Sequence, residues 1–342
     1  MPHPLISVII VNWNGLNFLK GSLRTLSLQS YIDFETIVVD NGSDDGSLSF
    51  IRTSYPQIRI IENSGNRGFA AANNQGIAVA RGRYVALLNN DTEVEQEWLA
   101  TLAASAESSP PDVGMWAPKI LSIEDRTSID SVGGLLISRC CIAKGRGRGE
   151  RDRGQYDNLR DVFIPSGCAA MYRLAMLETV GNFDEQFFAY CEDTDIGLRA
   201  MLMGWKTRSV PEAVVYHHYS GTAGKYSPTK AFLVERNHIW VAVKNMPLPL
   251  AISFPLYTAC RYLLQSYGVI TQQGAGGRFV KGHSRSSLLQ LLGKAWLNAA
   301  RGLPGMIKKR GRIQGSRVVT NGEVMRWFSR YGIRISDIVF KE

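Results

Sequence analysis

Residues 84–94 read YVALLNNDTEV, and this stretch decides the fold. A run of apolar, strand-forming residues stops there at a cluster of amides and a single carboxylate, Asp91. We interpret the run as a buried strand that ends on Asp91 and is followed by a helix starting near Glu93. Ligands bind beyond the carboxyl ends of the strands in an open α/β sheet, so Asp91 is well placed to hold a metal ion. The alternative is a polar turn that caps the next helix.

Similar strand endings precede this stretch. Apolar runs at residues 5–11, 36–40 and 59–62 alternate with helical patterns, and an Ala-rich helix leads into residue 84. This alternation predicts an α/β fold with a doubly wound, mostly parallel, Rossmann-like sheet. The polar residues that follow the strands or open the Ala-rich helix are Asn12, Asn14, Asp40, Asn41, Asn66, Arg67 and Gly68.

A pair of prolines at residues 110–111 predicts the start of a second region, in which the alternation is less regular. Its predicted strands cover residues 163–172 and 213–216, and the latter leads into His217. A Gly/Arg-rich loop within residues 139–160 is interpreted as a solvated loop, with a mobile substrate loop or a nucleic-acid contact as alternatives. The three predicted units are residues 1–109, 110–220 and 221–342.

Positive charge is concentrated at the C-terminal end. The chain carries a net charge of +9, but from Val243 onward it contains 16 Lys/Arg and 3 Asp/Glu. Residues 286–301 predict an amphipathic helix, and a basic cluster follows at residues 308–310, as is typical of a helix that lies on an anionic membrane surface. A helix packed on the catalytic domain is the competing interpretation. The apolar stretch at residues 246–260 contains three prolines and is too short to span a bilayer.

Cysteine usage and the start of the chain indicate the compartment. Five cysteines without a C-x-x-C pair favour reduced thiols over a disulfide framework or a zinc site. The first apolar run is short and lacks a basic leader, so no signal peptide is predicted. We therefore expect a cytoplasmic protein.

Seven segments of the chain occur in a characteristic order, and they read VIIVNWNG, VVDNGSDDGS, NRGFAAANNQG, LLNNDTEV, PSGCAAMYR, FFAYCEDTDIGLR and VVYHH. Together they resemble the family 2 glycosyltransferases, nucleotide-sugar enzymes of GT-A fold, and most of all their rhamnosyltransferase-like branch. The resemblance covers about residues 4–219. It implies a nucleotide-sugar-binding half, a catalytic and acceptor-binding half, and a helical appendage at the membrane surface.

For the donor, the resemblance implies that Asp40 binds the nucleoside base and that the loop opening at Asn66 approaches the nucleotide. The alternatives are an Asx turn at Asp40 and an ordinary helix entry at Asn66. The residues expected to bind the donor are Asn12, Asn14, Asp40, Asn41, Asn66, Arg67, Gly68, Asn89 and Asn90.

For the metal, the family pattern D-x-D is replaced here by Asn89-Asn90-Asp91, which leaves one carboxylate to hold Mg²⁺ or Mn²⁺. By resemblance, His217 completes the metal shell. An imidazole ligand makes Mn²⁺ as reasonable as Mg²⁺. The neighbouring His218 is expected to be structural.

For catalysis, Asp193 matches the family's base, and Glu192 is the alternative base or a ligand for acceptor hydroxyls. A single base suits an inverting, in-line displacement. Asp195 is expected to pair with Arg199 four residues later and to be structural. The residues expected to bind the acceptor are Ser166, Gly167, Tyr190 and Trp205.

The predicted function is therefore inverting, metal-dependent transfer of a sugar from a nucleotide sugar, expected to be dTDP-L-rhamnose, to a growing, lipid-linked cell-surface glycan. The expected location is the cytoplasmic face of the inner membrane. A nucleic-acid-binding protein is a rival, but aromatic residues are not interleaved with the basic ones, so no nucleic-acid partner is expected. A nucleotidyltransferase would need a glycine-rich phosphate loop with a lysine, which VNWNGLN is not.

Overall fold

Strands and helices alternate through the first half of the chain, and helices alone form its C-terminal part, in a computed structural model that describes residues 3–219 and 227–341. The strands are β1 Ile6–Asn12, β2 Phe34–Asp40, β3 Arg59–Glu62, β4 Tyr84–Leu87, β5 Thr92–Val94, β6 Val113–Ser122, β7 Ile129–Ser131, β8 Leu135–Ile137, β9 Ala143–Gly145, β10 Asp161–Val162, β11 Met171–Arg173 and β12 Lys206–His217. The helices are α1 Leu16–Ser27, α2 Ser47–Ser54, α3 Phe69–Val79, α4 Trp98–Ser108, α5 Leu174–Val180, α6 Glu192–Leu202, α7 Pro228–Asn245, α8 Leu248–Thr271, α9 Gly274–Gly282, α10 Arg285–Ser316, α11 Asn321–Arg330 and α12 Ile335–Phe340.

One large sheet organises these elements, in the order β10-β12-β6-β11-β4-β1-β2-β3. The pairs β1–β2, β1–β4, β2–β3 and β6–β12 are parallel, whereas the short β11 runs antiparallel between β4 and β6. Strands β1 and β4 are buried almost throughout, as expected where both faces of a parallel sheet are covered. The predicted doubly wound, mostly parallel α/β sheet is confirmed.

The stretch around Asp91 differs from its prediction. Strand β4 ends at Leu87, four residues before Asp91, and the segment predicted to start a helix near Glu93 is instead β5. Strand β5 pairs antiparallel with the end of β12, in a register that sets Thr92 opposite His217. Tertiary pairing has therefore overridden the local helix signal, and α4 begins only at Trp98.

Two other strand predictions change in length. The strand predicted at residues 163–172 is reduced to β11, and the residues before it lie alongside the end of β4, where Asn89 N–H donates to the carbonyl of Cys168. The strand predicted at residues 213–216 is the last part of the 12-residue β12.

The C-terminal helices pack on the second half of the sheet domain. Trp240 of α7 and Met306 of α10 share a hydrophobic core with Leu198 of α6, and the indole N–H of Trp240 donates to the carbonyl of Ala299 at 3.0 Å. Helix α10 has 32 residues and extends well beyond the predicted 286–301. The side of α10 that faces α7 is therefore packed against the rest of the protein. This agrees with the competing interpretation, a helix packed on the catalytic domain.

Helix α8 is longer than expected as well, because it continues through Pro255 and through Arg261. Its 24 residues include much of the apolar stretch seen in the sequence. Within residues 3–219 and 227–341, the structure has no helix that combines the length and apolarity needed to cross a membrane.

Candidate active site

A cavity of about 1460 Å³ lies where β1, β2, β4 and β12 end. Typical small-molecule sites occupy about 300–1,000 Å³, so this one has room for two substrates. One wall is polar and comes from the strand ends, and the opposite wall is apolar and comes from the C-terminal helices. The residues expected at the site that line the cavity are Asn41, Asn66, Gly68, Asn89, Asn90, Asp91, Ser166, Gly167, Tyr190, Glu192, Asp193 and His217.

Four residues expected to bind the donor are placed differently. Asn12 is buried beneath the cavity, where it donates to Asp40 at 3.0 Å and accepts from Asn90 at 2.9 Å. Asn14 uses its side-chain oxygen to accept from the backbone of Asp44. Arg67 is exposed and does not line the cavity. Asn12 and Asn14 therefore shape the strand ends rather than face the cavity.

Asp40 needs the clearest correction. Its Oδ1 accepts from the backbone N–H groups of Gly42 and Ser43, at 3.1 and 2.8 Å, and its Oδ2 accepts from Asn12 and the Ser43 hydroxyl. The carboxylate is fully buried and is not part of the cavity wall. The Asx turn considered as an alternative is what the structure shows, so the expected contact between Asp40 and a nucleobase is not present in this geometry.

The loop before α3 approaches the cavity with its backbone. Gly68 has a φ of 85°, and a Cβ at this position would lie 2.6 Å from the Phe188 ring and carbonyl. The side chain of Asn66 accepts from the Gly68 N–H at 2.9 Å, and Asn41 donates to the Gly68 carbonyl at 3.3 Å. Only glycine fits here, and it lets the loop pack closely against Phe188.

Asp91 and His217 meet on the polar wall. The register of β5 against β12 brings Asp91 Oδ1 to 3.4 Å from His217 Nε2, and His217 Nδ1 lies 2.7 Å from Asp130 Oδ2. Burial disfavours the imidazolium, but the contact with Cys168 and the hydrogen bonds to Asp130 and Asp91 outweigh it. The pKa of His217 therefore lies well above its usual value.

This wall suits a divalent cation. A histidine whose second nitrogen is held by a carboxylate is the usual arrangement of a metal-binding imidazole, and Asp91 offers a carboxylate oxygen beside Nε2. Asn89 Oδ1 is buried and has no hydrogen-bond partner among the described residues, so it can provide a further oxygen. In the described part of the chain, no group of three or more His, Cys, Asp and Glu side chains is arranged to hold a metal. Two protein ligands and an amide oxygen leave coordination positions of the ion open. Mg²⁺ sites commonly fill such positions with substrate phosphates and water.

Asp193 also lines the cavity and lies in the first turn of α6. Its Oδ2 accepts from the N–H of Gly167 at 3.0 Å, and its Oδ1 accepts from the N–H and the hydroxyl of Thr194. A Cβ on Gly167 would lie 3.2 Å from the Asp193 Cβ, which accounts for glycine there. Burial raises the pKa of Asp193 even though these hydrogen bonds favour the carboxylate.

Glu192 is the more strongly perturbed of the two carboxyl groups. It is 6% exposed, and its Oε2 has no hydrogen-bond partner in the described residues. Burial, followed by the charge of Asp193, raises the pKa of Glu192 to about 8. Glu192 therefore keeps its proton to a higher pH than an ordinary glutamate does, beside a second carboxyl group whose pKa is also raised.

Asp195 has a different role from its neighbours. It bonds to Arg199 at 3.0 Å, to Lys244 at 2.9 Å and to Asn245 at 2.8 Å. Lys244 and Arg199 outweigh burial and lower the pKa of Asp195 to about 2. The predicted pairing with Arg199 is confirmed, and the lysine adds a link from α6 to α7.

The loop before α6 is held in an unusual conformation. Phe188, Tyr190 and Cys191 have φ values of 65°, 68° and 66°, which residues with a Cβ rarely adopt. The side-chain amide of Asn237 in α7 lies within hydrogen-bond distance of three loop carbonyls, and Arg236 Nη2 reaches the carbonyl of Phe187 at 2.8 Å. The C-terminal region therefore fixes the approach to the two carboxyl groups.

Of the residues expected to bind the acceptor, Trp205 does not reach the cavity. It packs against the core on the α5 side of the sheet, where a Cβ on Gly114 would touch it. Its position just before β12 places it at the opposite end of that strand from His217. The structure therefore places Trp205 outside the cavity in which its acceptor contact was expected.

His218 is placed as expected of a structural residue. Its Nδ1 lies 3.5 Å from Glu124 Oε1, and its ring packs against Phe18. It does not line the cavity.

Several cavity residues were not found from the sequence. Arg148 of the Gly/Arg-rich loop lies 3.3 Å from Asp130 and 3.7 Å above the ring of Tyr219, so this loop contributes to the site rather than being wholly solvated. Lys230 lies 4.5 Å from the same ring. Trp13, which is 44% exposed, also lines the cavity. The NWNG segment was a signal for Trp13, whereas Asp130 lies in a short strand without any motif.

Comparison with known proteins agrees with this geometry. The family profile described as Glycosyl transferase family 2 matches residues 7–181, which is more than half of the chain. The chain is 25% identical over 265 residues to an N-acetylglucosaminyl-diphospho-decaprenol L-rhamnosyltransferase of Mycobacterium tuberculosis, covering 69% of this chain and 86% of that protein. It is 29% identical over 234 residues to the uncharacterized protein y4gI of Sinorhizobium fredii, covering 65% of this chain but only a quarter (25%) of that protein.

Solved structures share the fold. A mannosyltransferase from Pyrobaculum calidifontis in complex with GDP-Man and Mn²⁺ is 18% identical with a TM-score of 0.54, over 92% of this chain and 86% of that one. S. aureus TarS 1-349 in complex with UDP-GlcNAc is 15% identical with a TM-score of 0.55, over 97% of this chain and 89% of that one. These likenesses show the GT-A fold. On the match of its family profile, the chain belongs to glycosyl transferase family 2.

Proposed function

We propose that this protein is an inverting, metal-dependent glycosyltransferase that moves a sugar from a nucleotide sugar to a hydroxyl of a lipid-linked glycan. The observation that carries the proposal is that candidate metal ligands and a candidate base line one cavity. Asp91 and His217 lie 3.4 Å apart, and Asp193 lines the same cavity. A site for a charged leaving group and a site for a base therefore face the same space, as sugar transfer requires.

In the proposed reaction, the acceptor oxygen attacks the anomeric carbon of the donor sugar. The bond from that carbon to the diphosphate oxygen breaks, and the nucleoside diphosphate leaves with the electron pair. Asp193 accepts the proton of the acceptor hydroxyl, because hydrogen bonds from Gly167 and Thr194 favour its carboxylate form, whereas Glu192 Oε2 has no such donor among the described residues. Glu192, with a pKa of about 8, stays neutral beside it and is placed to hydrogen-bond to an acceptor hydroxyl.

The divalent cation belongs to the proposal as well. Asp91, His217 and Asn89 would hold Mg²⁺ or Mn²⁺, which when bound supplies positive charge to the leaving diphosphate. Asp130 orients His217 by holding its Nδ1, so that Nε2 faces Asp91. A mannosyltransferase of the same fold that was solved with GDP-Man and Mn²⁺ supports a divalent ion in this fold.

The donor proposal rests on similarity to a known rhamnosyltransferase. We propose dTDP-L-rhamnose, because an L-rhamnosyltransferase is among the proteins that this chain resembles over most of both lengths. The exposed indole of Trp13 beside Asn41 and Asn66 offers a face on which a nucleobase can stack. Trp13 therefore replaces Asp40 as the proposed base contact.

The acceptor proposal rests on the apolar end of the cavity. Val269 and Ile270 of α8, Leu288 and Leu292 of α10, and Phe279 of α9 line it. Such a surface suits the hydrocarbon chain of a lipid-linked sugar, and the same rhamnosyltransferase is named for a decaprenol-linked substrate. We therefore propose that the protein works at the cytoplasmic face of the membrane, attached by its basic tail to anionic lipid.

The basic cluster that suggested this attachment needs a correction in detail. Lys309 bonds to Asp184 at 2.6 Å and to Gln186 at 3.0 Å, and Arg310 donates to the carbonyls of Val243 and Met246. Both cations are therefore used to fasten α10 to the rest of the protein. Lys308 of the cluster is exposed, so attachment by the tail needs further surface beyond this one residue.

A donor panel tests the proposed function. The protein is heated with dTDP-L-rhamnose, with other nucleotide sugars, with the free nucleoside diphosphates and with single-stranded RNA, each with and without Mn²⁺. We expect a rise in melting temperature with dTDP-L-rhamnose and dTDP that depends on the metal, together with slow donor hydrolysis. No stabilisation by any nucleoside diphosphate would overturn the proposal. Stabilisation by UDP or GDP compounds alone would support a glycosyltransferase, but with a donor other than dTDP-L-rhamnose.

A further inference from the structure

Helix α8 has an unusual distribution of charge. It contains one charged residue in 24, Arg261, and that residue is 1% exposed. Both guanidinium nitrogens of Arg261 bond to the carboxylate of Glu235 in α7, at 2.6 and 2.7 Å. The single charge of the helix is therefore turned inward and paired, and the outward face is left without any charge.

The outward face is also strongly apolar. Six large side chains on it are 57% to 73% exposed, and at about 100° per residue they fall within an arc of about 100°. These residues, which we call the α8 stripe, are Leu248, Ile252, Leu256, Leu263, Tyr267 and Ile270. Exposed apolar residues on a soluble surface are normally scattered singly, so a continuous stripe along a helix of about 36 Å marks a contact surface.

The sequence segment that carries the stripe has basic residues and no acidic ones, although Arg261, Lys309 and Arg310 are paired within the protein. Residues 248–316 contain ten Lys and Arg and not one Asp or Glu. Arg278 and Arg285 lie where α9 and α10 line the cavity. An apolar stripe within a segment that lacks acidic residues matches a bilayer with anionic headgroups.

The stripe is continuous with the proposed acceptor site. Ile270 belongs to the stripe and also lines the apolar end of the cavity, next to Leu289 of α10, which is 70% exposed. Trp296 of α10 donates to the hydroxyl of Tyr262 in α8 at 2.7 Å, so α10 is fastened alongside. A hydrocarbon chain that leaves the cavity between these helices emerges beside the stripe.

From this geometry we propose that the α8 stripe is the surface that docks on an anionic lipid bilayer, so that the apolar end of the cavity opens toward the lipid. The helix lies in the plane of the interface and does not cross it, in agreement with the absence of a spanning helix among the described residues. The proposal rests on the proposed function for the lipid-linked acceptor, but its test uses no donor and no transfer step. Failure of the donor panel and failure of the docking test are therefore distinguishable.

A native cysteine at the edge of the stripe can report whether this surface is covered. Cys260 in α8 is exposed, whereas Cys140, Cys141 and Cys168 are buried and Cys191 is half-buried. By helical geometry Cys260 lies about 20° from Tyr267 at the edge of the stripe. We expect vesicles of phosphatidylcholine with phosphatidylglycerol to slow the reaction of Cys260 with a charged, water-soluble maleimide by at least about tenfold. Unchanged labelling in protein that has sedimented with the vesicles would overturn the proposal.

A pair of matched variants tests the surface without a label. Ile252→Glu places a charge in the stripe, and Ile32→Glu places the same charge at an exposed isoleucine on the loop between α1 and β2. We expect Ile252→Glu to weaken co-sedimentation with the anionic vesicles by at least about tenfold and Ile32→Glu to leave it unchanged. Melting temperatures show whether both variants fold.

Other outcomes decide against the bilayer. If both variants sediment like the wild type, the docking surface lies elsewhere. If the wild type is a dimer by analytical ultracentrifugation and Ile252→Glu is a monomer, a second copy covers the stripe and the proposal is wrong. If raised salt abolishes binding completely, attachment is electrostatic only, and the apolar stripe has no part in it.

Discussion

Asn237 in the middle of α7 donates a hydrogen bond of 2.7 Å to the carbonyl of Tyr190, a residue held at a φ of 68°. The same amide lies 3.0 Å from the carbonyl of Phe187 and 2.9 Å from that of Ala189. Non-glycine residues in this region of φ cost about 1–3 kcal/mol each and persist only where the surroundings enforce them. A fully buried amide in the C-terminal region thus holds the loop that leads into Glu192 and Asp193.

The first prediction concerns this amide. Asn237→Ala removes the donor, so the loop can relax and Asp193 moves away from its position in the cavity. We expect kcat to fall by about 10–100-fold while the affinity for donor changes little, since small displacements of catalytic groups cost about this much. Asn321→Ala, at an exposed asparagine of α11, is the control. A rise in KM for donor with unchanged kcat would show that the amide does not position the base.

The second prediction separates the two carboxyl groups. Asp193→Asn removes the proton acceptor and should lower the transfer rate by about 10²–10⁴-fold, with donor binding largely intact. Glu192→Gln keeps a neutral hydrogen-bonding group and should cost much less. Single-turnover transfer and donor titration measure the two effects. If Glu192→Gln is inactive and Asp193→Asn is not, the base is Glu192.

Much of the fold follows from local sequence. Apolar runs that stop at amides and carboxylates identified β1, β2 and β3, because the strands of a buried parallel sheet are apolar on both faces. The same approach failed at β5, which has three residues and is a strand only because β12 lies beside it. The apolar stretch at residues 246–260 stops before Arg261, yet α8 continues to Thr271, because Glu235 pairs with this arginine inside the protein.

The site follows from sequence only in part. Asp91, Asp193 and His217 occur in motifs and do line one cavity. Asp40 lies in an equally strong motif, yet its carboxylate accepts hydrogen bonds from the backbone of the turn that follows it. The side-chain N–H groups of Asn237 bond to backbone carbonyls of a loop about 50 residues away, and its oxygen accepts from the adjacent Arg236, so no sequence motif identifies it.

The third prediction concerns the metal. Excess chelator should abolish transfer, and Asp91→Asn should weaken the binding of nucleoside diphosphate far more than that of the nucleoside, because the ion contacts the phosphates. Asp130→Asn should lower metal affinity by about 10–100-fold, the usual effect of losing a carboxylate behind a histidine ligand. Titration of Mn²⁺ with the diphosphate present measures both, with His218→Ala as the matched control. Full activity in chelator would contradict the metal site.

The fourth prediction concerns the nucleobase. Trp13 is the exposed aromatic residue of the NWNG segment, and stacking of a base on such a ring contributes about 1–3 kcal/mol. Trp13→Ala should therefore weaken the binding of dTDP by about tenfold or more, whereas Trp13→Phe should retain most of it. Trp296→Ala, which removes an exposed indole outside the cavity wall, should leave nucleotide affinity unchanged. Equal affinities for Trp13→Ala and wild type would place the base elsewhere.

The fifth prediction concerns pH and follows from the pKa of Glu192. Burial and the neighbouring Asp193 raise this pKa to about 8, whereas an unfolded glutamate has a pKa of about 4.3. Between these values the folded protein binds a proton that the unfolded chain has released, so the contribution to stability is complete below about pH 4.3 and is lost as pH rises to about 8. Glu192→Gln cannot titrate and should not show this loss.

The free energy of unfolding should therefore fall more steeply with pH in the wild type than in Glu192→Gln. Each pKa unit is worth about 1.4 kcal/mol, so between pH 5 and pH 8 the two curves should diverge by an amount on the order of a few kcal/mol. Urea unfolding at a series of pH values measures the difference, and Glu185→Gln, at an exposed glutamate before α6, is the control. Because Asp193 is present in both proteins, its own titration affects both curves. Parallel curves for wild type and Glu192→Gln would mean that Glu192 is ionised in the folded protein, and it would then be a second candidate for the base.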